Sequence, residues 1–325
     1  MQAIQISKFG AASDVVELVD VPLPAAPGAN DVTVAVEYAP INATDLLTIQ
    51  GRYGILPTLP ATLGSEGVAR ILAVGAQVRH LAVGDRVLLP LIGSAWREQI
   101  VLPAEGLYAL PNAADPRQLA MLAINPPTAA LLLSELEPLA AGDWVIQNAG
   151  NSGVGRSVIA FARERGLRSV SLVRRPELVD ELRAAGGDVV LLDGPDLAAR
   201  VAQATSNAQI RLGLDGVGGD STLPLAGCLA SRGTLAVYSA VSKKPGQLSV
   251  IDLVFRNISV RGFWLLYPEY RNAPKTIEAT QASARLIAEG KLHLPIAATY
   301  PLTAIKDALA HAQRGGKVLL QIAQP

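Results

Sequence analysis

From about Trp144 onward, short apolar runs alternate regularly with segments of helical periodicity. "DWVIQNA" predicts a buried strand, and the following "GVGRSVIAFARERG" places Val154, Val158, Ile159 and Ala162 on one helical face. The unit recurs in "SVSLV" with "PELVDELRAAG", in "VVLLD" with "DLAARVAQAT", and in "IRLGLDGV" with "STLPLAGCLA". Such strands pair in parallel and are covered by helices on both faces, so the sequence predicts a doubly wound α/β domain.

The residues before this region have a different pattern. Short alternating strands such as "DVTVAVEYAPIN", "EGVARILAVG" and "GDRVLLPL" are separated by frequent glycine and proline, which is typical of a partly open antiparallel barrel. Beyond the sheet, "LTAIKDALAHAQ" predicts a helix and "GKVLLQI" a last strand that returns to the first domain. Because 325 residues exceed the size of one core, we expect two domains, residues 1–121 with 268–325 and residues 122–267.

Composition excludes several classes of function. The formal net charge is +0 and only 17% of the residues are charged, so no overall field attracts nucleic acid or an anionic membrane. The longest apolar runs are too short or too broken by proline to span a bilayer. The N-terminal "MQAIQISKFG" shows neither a secretory signal nor a transit peptide, so we expect a soluble, cytoplasmic protein.

Cysteine and histidine are scarce. Cys228 is the only cysteine, which excludes an intrachain disulfide and a four-cysteine zinc site, and its apolar context predicts a buried core residue rather than a nucleophile. The three histidines lie far apart in the sequence, without the spacing of metal ligands.

The segment "NAGNSGVGRS" follows the first strand of the alternating region and opens its first helix. Gly150, Gly153 and Gly155 allow a tight turn and a close approach to a pyrophosphate, whose charge is then stabilised by the free N–H groups of the helix N-terminus. This context predicts dinucleotide binding. The alternative is a glycine-rich turn that is required only for packing.

Two arginines follow the second strand, in "LVRRPE". Proteins that bind NAD usually place an acidic residue there, about 20 residues past the glycines, for the 2′-hydroxyl of the ribose. Arg174 and Arg175 favour the 2′-phosphate of NADP instead. The alternative is a solvated arginine pair at a strand end, and Glu177 is expected in the first turn of the next helix.

A set of motifs, "IQGRYG", "GSEGV", "INPPTA", "NAGNSGVG", "VRRP", "GFWL" and "GGKVLL", occurs in one order over nearly the whole chain. In this order the sequence resembles the medium-chain dehydrogenase/reductase superfamily, and within it most the zinc-free branch of mitochondrial 2-enoyl thioester reductases and their bacterial and quinone-reductase-like relatives. The resemblance implies a GroES-like, partly open β-barrel catalytic domain and a Rossmann domain that binds NADPH.

The resemblance also bears on the metal. Zinc-dependent alcohol dehydrogenases of the superfamily have a cysteine before an aspartate in the first loop and a histidine before the glutamate of G-H-E-G. Here these positions read Thr44-Asp45 and Ser65-Glu66. Both zinc-binding side chains are replaced, so we expect no catalytic metal.

Tyr53 is the catalytic residue that the resemblance implies. Enoyl reductases of this branch use a tyrosine in the loop that matches Gly51 to Gly54. Its phenol would donate a hydrogen bond to a thioester carbonyl and stabilise the enolate that forms as hydride reaches the β-carbon. The alternative is a loop aromatic that only packs or lines the pocket.

The resemblance implies further cofactor contacts. Asn125, with support from Thr128, matches a contact near the nicotinamide, and Lys317 matches a C-terminal contact. The pyrophosphate turn comprises Gly150, Asn151, Ser152, Gly153, Val154 and Gly155. Two segments match the nicotinamide end of the cofactor: Tyr238, Ser239, Ala240 and Val241, and Phe263, Trp264 and Leu265. For the "FWL" segment a role in the core or in a dimer interface is equally open, and Lys243 and Lys244 could meet substrate phosphates or form a solvated turn.

The leading hypothesis is an NADPH-dependent reductase of carbon–carbon double bonds conjugated to a carbonyl, with trans-2-enoyl thioesters of coenzyme A or acyl carrier protein as substrates. An NADPH:quinone or small-enone reductase is the alternative enzyme, and a non-catalytic NADPH-binding protein is a third reading. A metal-dependent alcohol dehydrogenase is disfavoured. The resemblance also implies a homodimer, with "ISVRGFWLL" as the edge strand that joins two sheets.

Overall fold

The computed structural model describes residues 1–323, and these form two compact units. The first unit comprises Met1–Ile124 together with the residues from Ile287 onward, and the second comprises Asn125–Leu286. The predicted domain boundaries, 1–121 with 268–325 and 122–267, stay predictions, and the last two residues of the first range lie outside the described residues.

The first unit is built mainly from β-strands. In chain order its N-terminal part contains β1 (Gln2–Ile6), α1 (Ala12–Val15), β2 (Val16–Asp20), β3 (Asp31–Ile41), α2 (Ala43–Ile49), β4 (Ala61–Thr62), β5 (Val68–Val74), β6 (Arg86–Leu88), β7 (Gln99–Pro103) and α3 (Pro116–Leu119). Strands β2, β1 and β4 form a small antiparallel sheet. The long strand β3 pairs antiparallel with β5 and β7 and is the centre of the larger sheet.

The second unit alternates strands with helices. Its elements are α4 (Asn125–Glu135), β8 (Trp144–Gln147), α5 (Gly153–Glu164), β9 (Arg168–Val173), α6 (Glu177–Ala184), β10 (Val189–Leu192), α7 (Leu197–Ala204), β11 (Leu212–Asp215), a 3₁₀ turn (Gly219–Ser221), α8 (Thr222–Gly227), β12 (Thr234–Val237), α9 (Val250–Phe255), β13 (Ser259–Gly262) and α10 (Pro274–Ala288).

The strands of the second unit form one parallel sheet in the order β10-β9-β8-β11-β12-β13. From β8 the chain proceeds outward through β9 to β10, and it then crosses back to β11 and proceeds outward in the other direction. The order therefore reverses between β8 and β11, and at such a point the carboxyl ends of the strands leave a crevice in which α/β proteins bind ligands. The predicted doubly wound sheet is confirmed.

After α10 the chain adds strands to the first unit. The last elements are β14 (Ala298–Pro301), a 3₁₀ turn (Leu302–Ala304), α11 (Ile305–Arg314) and β15 (Val318–Gln321). Strand β15 pairs antiparallel with the second half of β3, with Val318 opposite Ile41, whereas β7 pairs with the first half. Most of β3 is buried, because neighbours on both edges enclose it within the barrel core. The predicted GroES-like barrel is confirmed.

No helix within residues 1–323 combines the length and the apolar character that crossing a membrane requires.

Candidate cofactor and catalytic sites

The glycine turn connects β8 to α5 at the carboxyl edge of the parallel sheet. Ser152 is the N-cap of α5, and its hydroxyl accepts the N–H of Gly155 at 3.0 Å. Among the hydrogen bonds of the described residues, none uses the N–H of Gly153 or Val154 as donor. Free N–H groups at the positive end of a helix dipole can bind an anion such as a pyrophosphate.

Space explains why the turn contains glycine. A Cβ on Gly155 would lie 2.6 Å from the carbonyl oxygens of Ala149 and Gly150, and one on Gly150 would lie 2.9 Å from the Cβ of Ser171. A Cβ on Gly153 would lie 2.7 Å from the side-chain nitrogen of Asn125, so the structure brings Asn125 to the glycine turn. The glycines thus serve the packing of the turn as well as access to its N–H groups.

The arginine pair lies directly after β9. Arg174 and Arg175 are both exposed, and Glu177 is the first residue of α6, as its position in the sequence predicted. Arg175 Nε lies 3.4 Å from Glu177 Oε1, whereas Arg174 makes no ion pair within residues 1–323. Arg174 is therefore the guanidinium that is available to a phosphate at the end of the second strand.

The carboxyl end of β11 contains a polar network that the sequence analysis missed. The buried carboxylate of Asp215 accepts hydrogen bonds from Asn148 Nδ2 and Thr222 Oγ1, both at 2.7 Å, and from the N–H groups of Val217 and Gly218. Asn148 Oδ1 in turn accepts the N–H of Gly216 at 2.8 Å. This network fixes the ends of β8 and β11 on both sides of the crevice. An aspartate at a strand end before glycines is the signal that could have indicated it.

The predicted contacts after β12 and β13 differ in exposure. Tyr238 has a buried hydroxyl, and a Cβ on Gly216 would lie 2.4 Å from it, so Gly216 makes room for the phenol. Burial also raises the pKa of Tyr238. Ser239 is half-buried, and Ala240 and Val241 are exposed.

The "FWL" segment and Thr128 are packed more tightly. Phe263 and Leu265 are buried, and the Phe263 ring packs at a tilt against Tyr270, with ring centroids 4.8 Å apart. Trp264 is half-buried and meets Tyr267 edge to face. Thr128 is buried within α4. Roles of these side chains in cofactor binding stay predictions.

The first unit contains a buried cluster of ionisable and polar side chains that are joined by hydrogen bonds. Lys317 Nζ donates to Asn42 Oδ1 at 2.5 Å, and Asn42 Nδ2 donates to Glu66 Oε1 at 2.8 Å. Ser65 Oγ donates to Asp45 Oδ1 at 2.6 Å. Lys317, predicted as a cofactor contact, thus has its ammonium group turned inward, next to two carboxyl groups.

Glu66 also accepts hydrogen bonds from the backbone just before α4. Its Oε2 accepts the N–H groups of Ala123 and Ile124, each at 3.0 Å, immediately before Asn125. Burial raises the pKa of Glu66 to about 7 and that of Asp45 to about 6, because a buried carboxylate loses its hydration. Hydrogen bonds and the nearby Lys317 oppose these shifts, and burial lowers the pKa of Lys317.

Tyr53 lies in the loop between α2 and β4 and is half-buried. The loop begins at Gly51, which adopts a positive φ of 70°, and a Cβ there would lie 3.0 Å from the Phe9 ring. Glycine at position 51 therefore permits the close turn that leads to Tyr53.

Within residues 1–323, no group of three or more His, Cys, Asp or Glu side chains is arranged to hold a metal ion. At the positions compared with zinc ligands, Ser65 instead hydrogen-bonds Asp45. Cys228 is half-buried rather than fully buried, because it ends α8 beside a surface groove lined by α7, and burial raises the pKa of its thiol to about 12.

Two family descriptions match the chain. The family described as "Alcohol dehydrogenase GroES-like domain" matches residues 28–112, and the family described as "Zinc-binding dehydrogenase" matches residues 153–281. Thr44 and Ser65, the positions compared with zinc ligands, lie outside the second match.

Similar proteins cover nearly the whole chain. The mitochondrial enoyl-acyl-carrier-protein reductase of Rattus norvegicus is 36% identical over 99% of this chain and 88% of its own length, and that of Homo sapiens is 38% identical over 95% and 84%. The chain belongs to the enoyl-acyl-carrier-protein reductase family. The resemblance inferred from the motifs is thereby confirmed, as is the prediction of an oxidoreductase.

Several solved structures share the fold of this chain. The Etr1p/Etr2p 2-enoyl thioester reductase heterodimer from Candida tropicalis aligns with a TM-score of 0.89 and 25% identity, over 98% of this chain and 99% of that one. A putative NADPH:quinone reductase from Bacillus thuringiensis aligns with a TM-score of 0.85 and 26% identity, over 98% of each chain. An Etr1p complex with NADP and crotonyl-CoA shares the fold, with a TM-score of 0.91 and 24% identity.

These comparisons contradict one prediction. A cytoplasmic location was expected because no targeting segment is visible in the sequence, but the rat, human and mouse relatives are all named as mitochondrial. The prediction of a cytoplasmic location is therefore wrong, because it disagrees with the mitochondrial names of these relatives.

Proposed function

We propose that this chain is an NADPH-dependent reductase of carbon–carbon double bonds conjugated to a carbonyl, with trans-2-enoyl thioesters as substrates. The observation that carries the proposal is the pair of anion sites in the second unit. One is the glycine turn with two free N–H groups, and the other is the exposed arginine pair one strand away. The kinship with enoyl reductases over 99% of the chain supports the substrate class.

The residues present fit NADPH. The N–H groups of Gly153 and Val154 would hold the pyrophosphate, and a Cβ at Gly155 would distort the turn that presents them. Arg174, which has no ion-pair partner in the described chain, would hold the 2′-phosphate. When bound, NADPH supplies the hydride. We also propose that the other residues implied by the resemblance contact the cofactor. They are Asn125, Thr128, Tyr238, Ser239, Ala240, Val241, Phe263, Trp264, Leu265 and Lys317.

Tyr53 is the proposed catalytic residue of the first unit. Its hydroxyl would donate a hydrogen bond to the thioester carbonyl oxygen and stabilise the negative charge that develops there as the β-carbon is reduced. The α-carbon then takes a proton from Tyr53 Oη or from water. Because Phe differs from Tyr only by that hydroxyl, Tyr53→Phe removes the donor and retains the ring.

The deciding experiment measures NADPH consumption with crotonyl-CoA and, separately, with a benzoquinone, for the wild type and Tyr53→Phe. Loss of one oxyanion donor lowers kcat by about a hundredfold or more, so crotonyl-CoA reduction should fall by that factor while NADPH affinity stays unchanged. Leu56→Ala, in the same loop, is the control for loop damage, because it removes exposed apolar surface without touching the hydroxyl.

A quinone or small-enone reductase is the second candidate, and its support is the likeness to a putative NADPH:quinone reductase. Such an enzyme needs no tyrosine hydroxyl. Quinone reduction that is untouched by Tyr53→Phe, together with negligible crotonyl-CoA reduction, would establish this candidate and refute the first.

We also propose a homodimer formed through the β13 edge of the parallel sheet. Every residue of β13 is exposed, and α9 has no buried residue, with Phe255 81%, Val250 71% and Val254 64% exposed. An unpaired edge strand beside an apolar helix invites another chain. Light scattering should give a dimer for the wild type and a monomer for Phe255→Glu, and a monomeric wild type at micromolar concentration would refute the proposal.

A further inference from the structure

Arg156 is a buried arginine in the first turn of α5, next to the glycine turn. Only 9% of its side chain is exposed, which is unusual for a guanidinium, since arginine is almost never fully buried unless it is paired. Its Nε donates to the carbonyl oxygen of Asn151 at 3.3 Å, inside the turn itself. The guanidinium therefore holds the backbone of the turn from the protein side.

The other end of the guanidinium reaches a neighbouring helix. Arg156 Nη2 donates to Glu181 Oε1, and Glu181 lies on α6. Helix α6 begins at Glu177, two residues after Arg175, and therefore carries the arginine pair at its N-terminal end. One buried side chain thus connects the backbone of the pyrophosphate turn to the helix that follows the arginines.

We propose that Arg156 and Glu181 are positioning residues for the coenzyme, which set the spacing between the anion site of the glycine turn and the anion site of the arginine pair. This inference rests on the proposed NADPH binding. NADPH has a pyrophosphate and a 2′-phosphate on one molecule, so it engages both sites at once only if their separation matches its own. A preformed spacing spares the coenzyme the cost of ordering one site against the other on binding.

The arrangement argues for spacing rather than for direct attraction. Glu181 neutralises the charge of Arg156, so the pair adds little net positive field for a phosphate. Because the pair connects the turn to the helix that follows the arginines, its loss should have a distinct signature. NADH lacks the 2′-phosphate and does not use the arginine site, so a change in spacing should weaken NADPH binding far more than NADH binding.

The test measures dissociation constants of NADPH and NADH by titration of intrinsic fluorescence, together with steady-state kcat and KM, for the full chain. In Glu181→Gln we expect about tenfold weaker NADPH binding, because a displaced arginine site loses about one charge-assisted contact with the 2′-phosphate. NADH binding should weaken less than twofold, and kcat at saturating NADPH should be unchanged. Asp180→Asn is the matched control, since Asp180 neighbours Glu181 on α6 but makes only an exposed pair with Arg183.

A double variant separates the bridge from general damage. If Arg156 and Glu181 act as one connection, Arg156→Gln with Glu181→Gln should bind NADPH no more weakly than either single variant. Arg156→Lys should fall between wild type and Arg156→Gln, because lysine can reach one of the two acceptors but not hold both in the fixed geometry of a guanidinium. Melting temperatures of all variants identify any that fail to fold.

The outcomes are distinct. Equal weakening of NADPH and NADH, or additive losses in the double variant, would overturn the spacing role. So would wild-type NADPH affinity in every folded variant. If the wild type itself binds neither coenzyme, the proposed function fails, and the spacing role that rests on it fails as well.

Discussion

The raised pKa of Glu66 makes the stability of the protein depend on pH in a predictable direction. The carboxyl titrates at about 7 in the folded chain, against an ordinary value of 4.5. Between these values the folded state retains a proton that the unfolded state has already lost, so the free energy of unfolding falls as the pH rises. Each pH unit of difference is worth about 1.4 kcal/mol, so Glu66 accounts for a loss of roughly 3 kcal/mol from pH 4.5 to 7.

Glu66→Gln removes this titration. The amide oxygen can still accept the N–H groups of Ala123 and Ile124, whereas an NH2 group replaces the oxygen that accepts Asn42 Nδ2, and no proton is taken up. Urea unfolding at several pH values from 4.5 to 8, followed by circular dichroism, should therefore show a pH dependence in the variant that is smaller by roughly 3 kcal/mol than in the wild type. The absolute stability of the variant does not enter the comparison.

Glu105→Gln is the control, because Glu105 lies in the same unit and is exposed. It should leave the pH dependence of unfolding as in the wild type. Identical pH dependence in Glu66→Gln and wild type would refute the assignment, as would a wild type whose Glu66-dependent stability rises over this range. Asp45, with a pKa of about 6, acts in the same direction and remains in the variant.

Three further predictions concern the second unit. Arg174→Ala should weaken NADPH binding by about tenfold to a hundredfold in titrations. Arg175→Ala should weaken it less, because Arg175 already forms an ion pair with Glu177, and the reverse order would contradict the phosphate assignment. Gly155→Ala should lower stability in urea by about 1–3 kcal/mol or more, since its Cβ meets two carbonyl oxygens, and an unchanged midpoint would show that the turn can open. Asp215→Ala should cost about 3 kcal/mol or more by leaving four donors without an acceptor, which the same assay checks, and a loss below 1 kcal/mol would refute it.

The sequence predicts the second unit well because its signals are local. Strands such as β8 and helices such as α5 show their periodicity within a dozen residues, and the glycine turn stands between them. The barrel was predictable as a class, from short alternating strands. The pairing that completes the barrel was harder to predict, because β15 and β3 are far apart in the chain.

The polar networks were not predictable for the same reason. Lys317 and Asn42 are 275 positions apart, and only the register of β15 brings the ammonium group to the amide. Sequence motifs indicated Lys317 as a cofactor contact but gave no signal of its buried partners. The sequence does not indicate that Arg156 is buried, because its burial depends on how α5 lies against α6.

The position of β15 has a consequence for the order in which the chain folds during synthesis. Residues 125–286 are complete once α10 has been translated, and their parallel sheet needs no later segment. The second half of β3, by contrast, lacks its partner until Val318–Gln321 has been translated. The second unit can therefore fold first. The barrel keeps an open strand edge until Val318–Gln321 has been synthesised, although most of its residues precede the second unit in the chain.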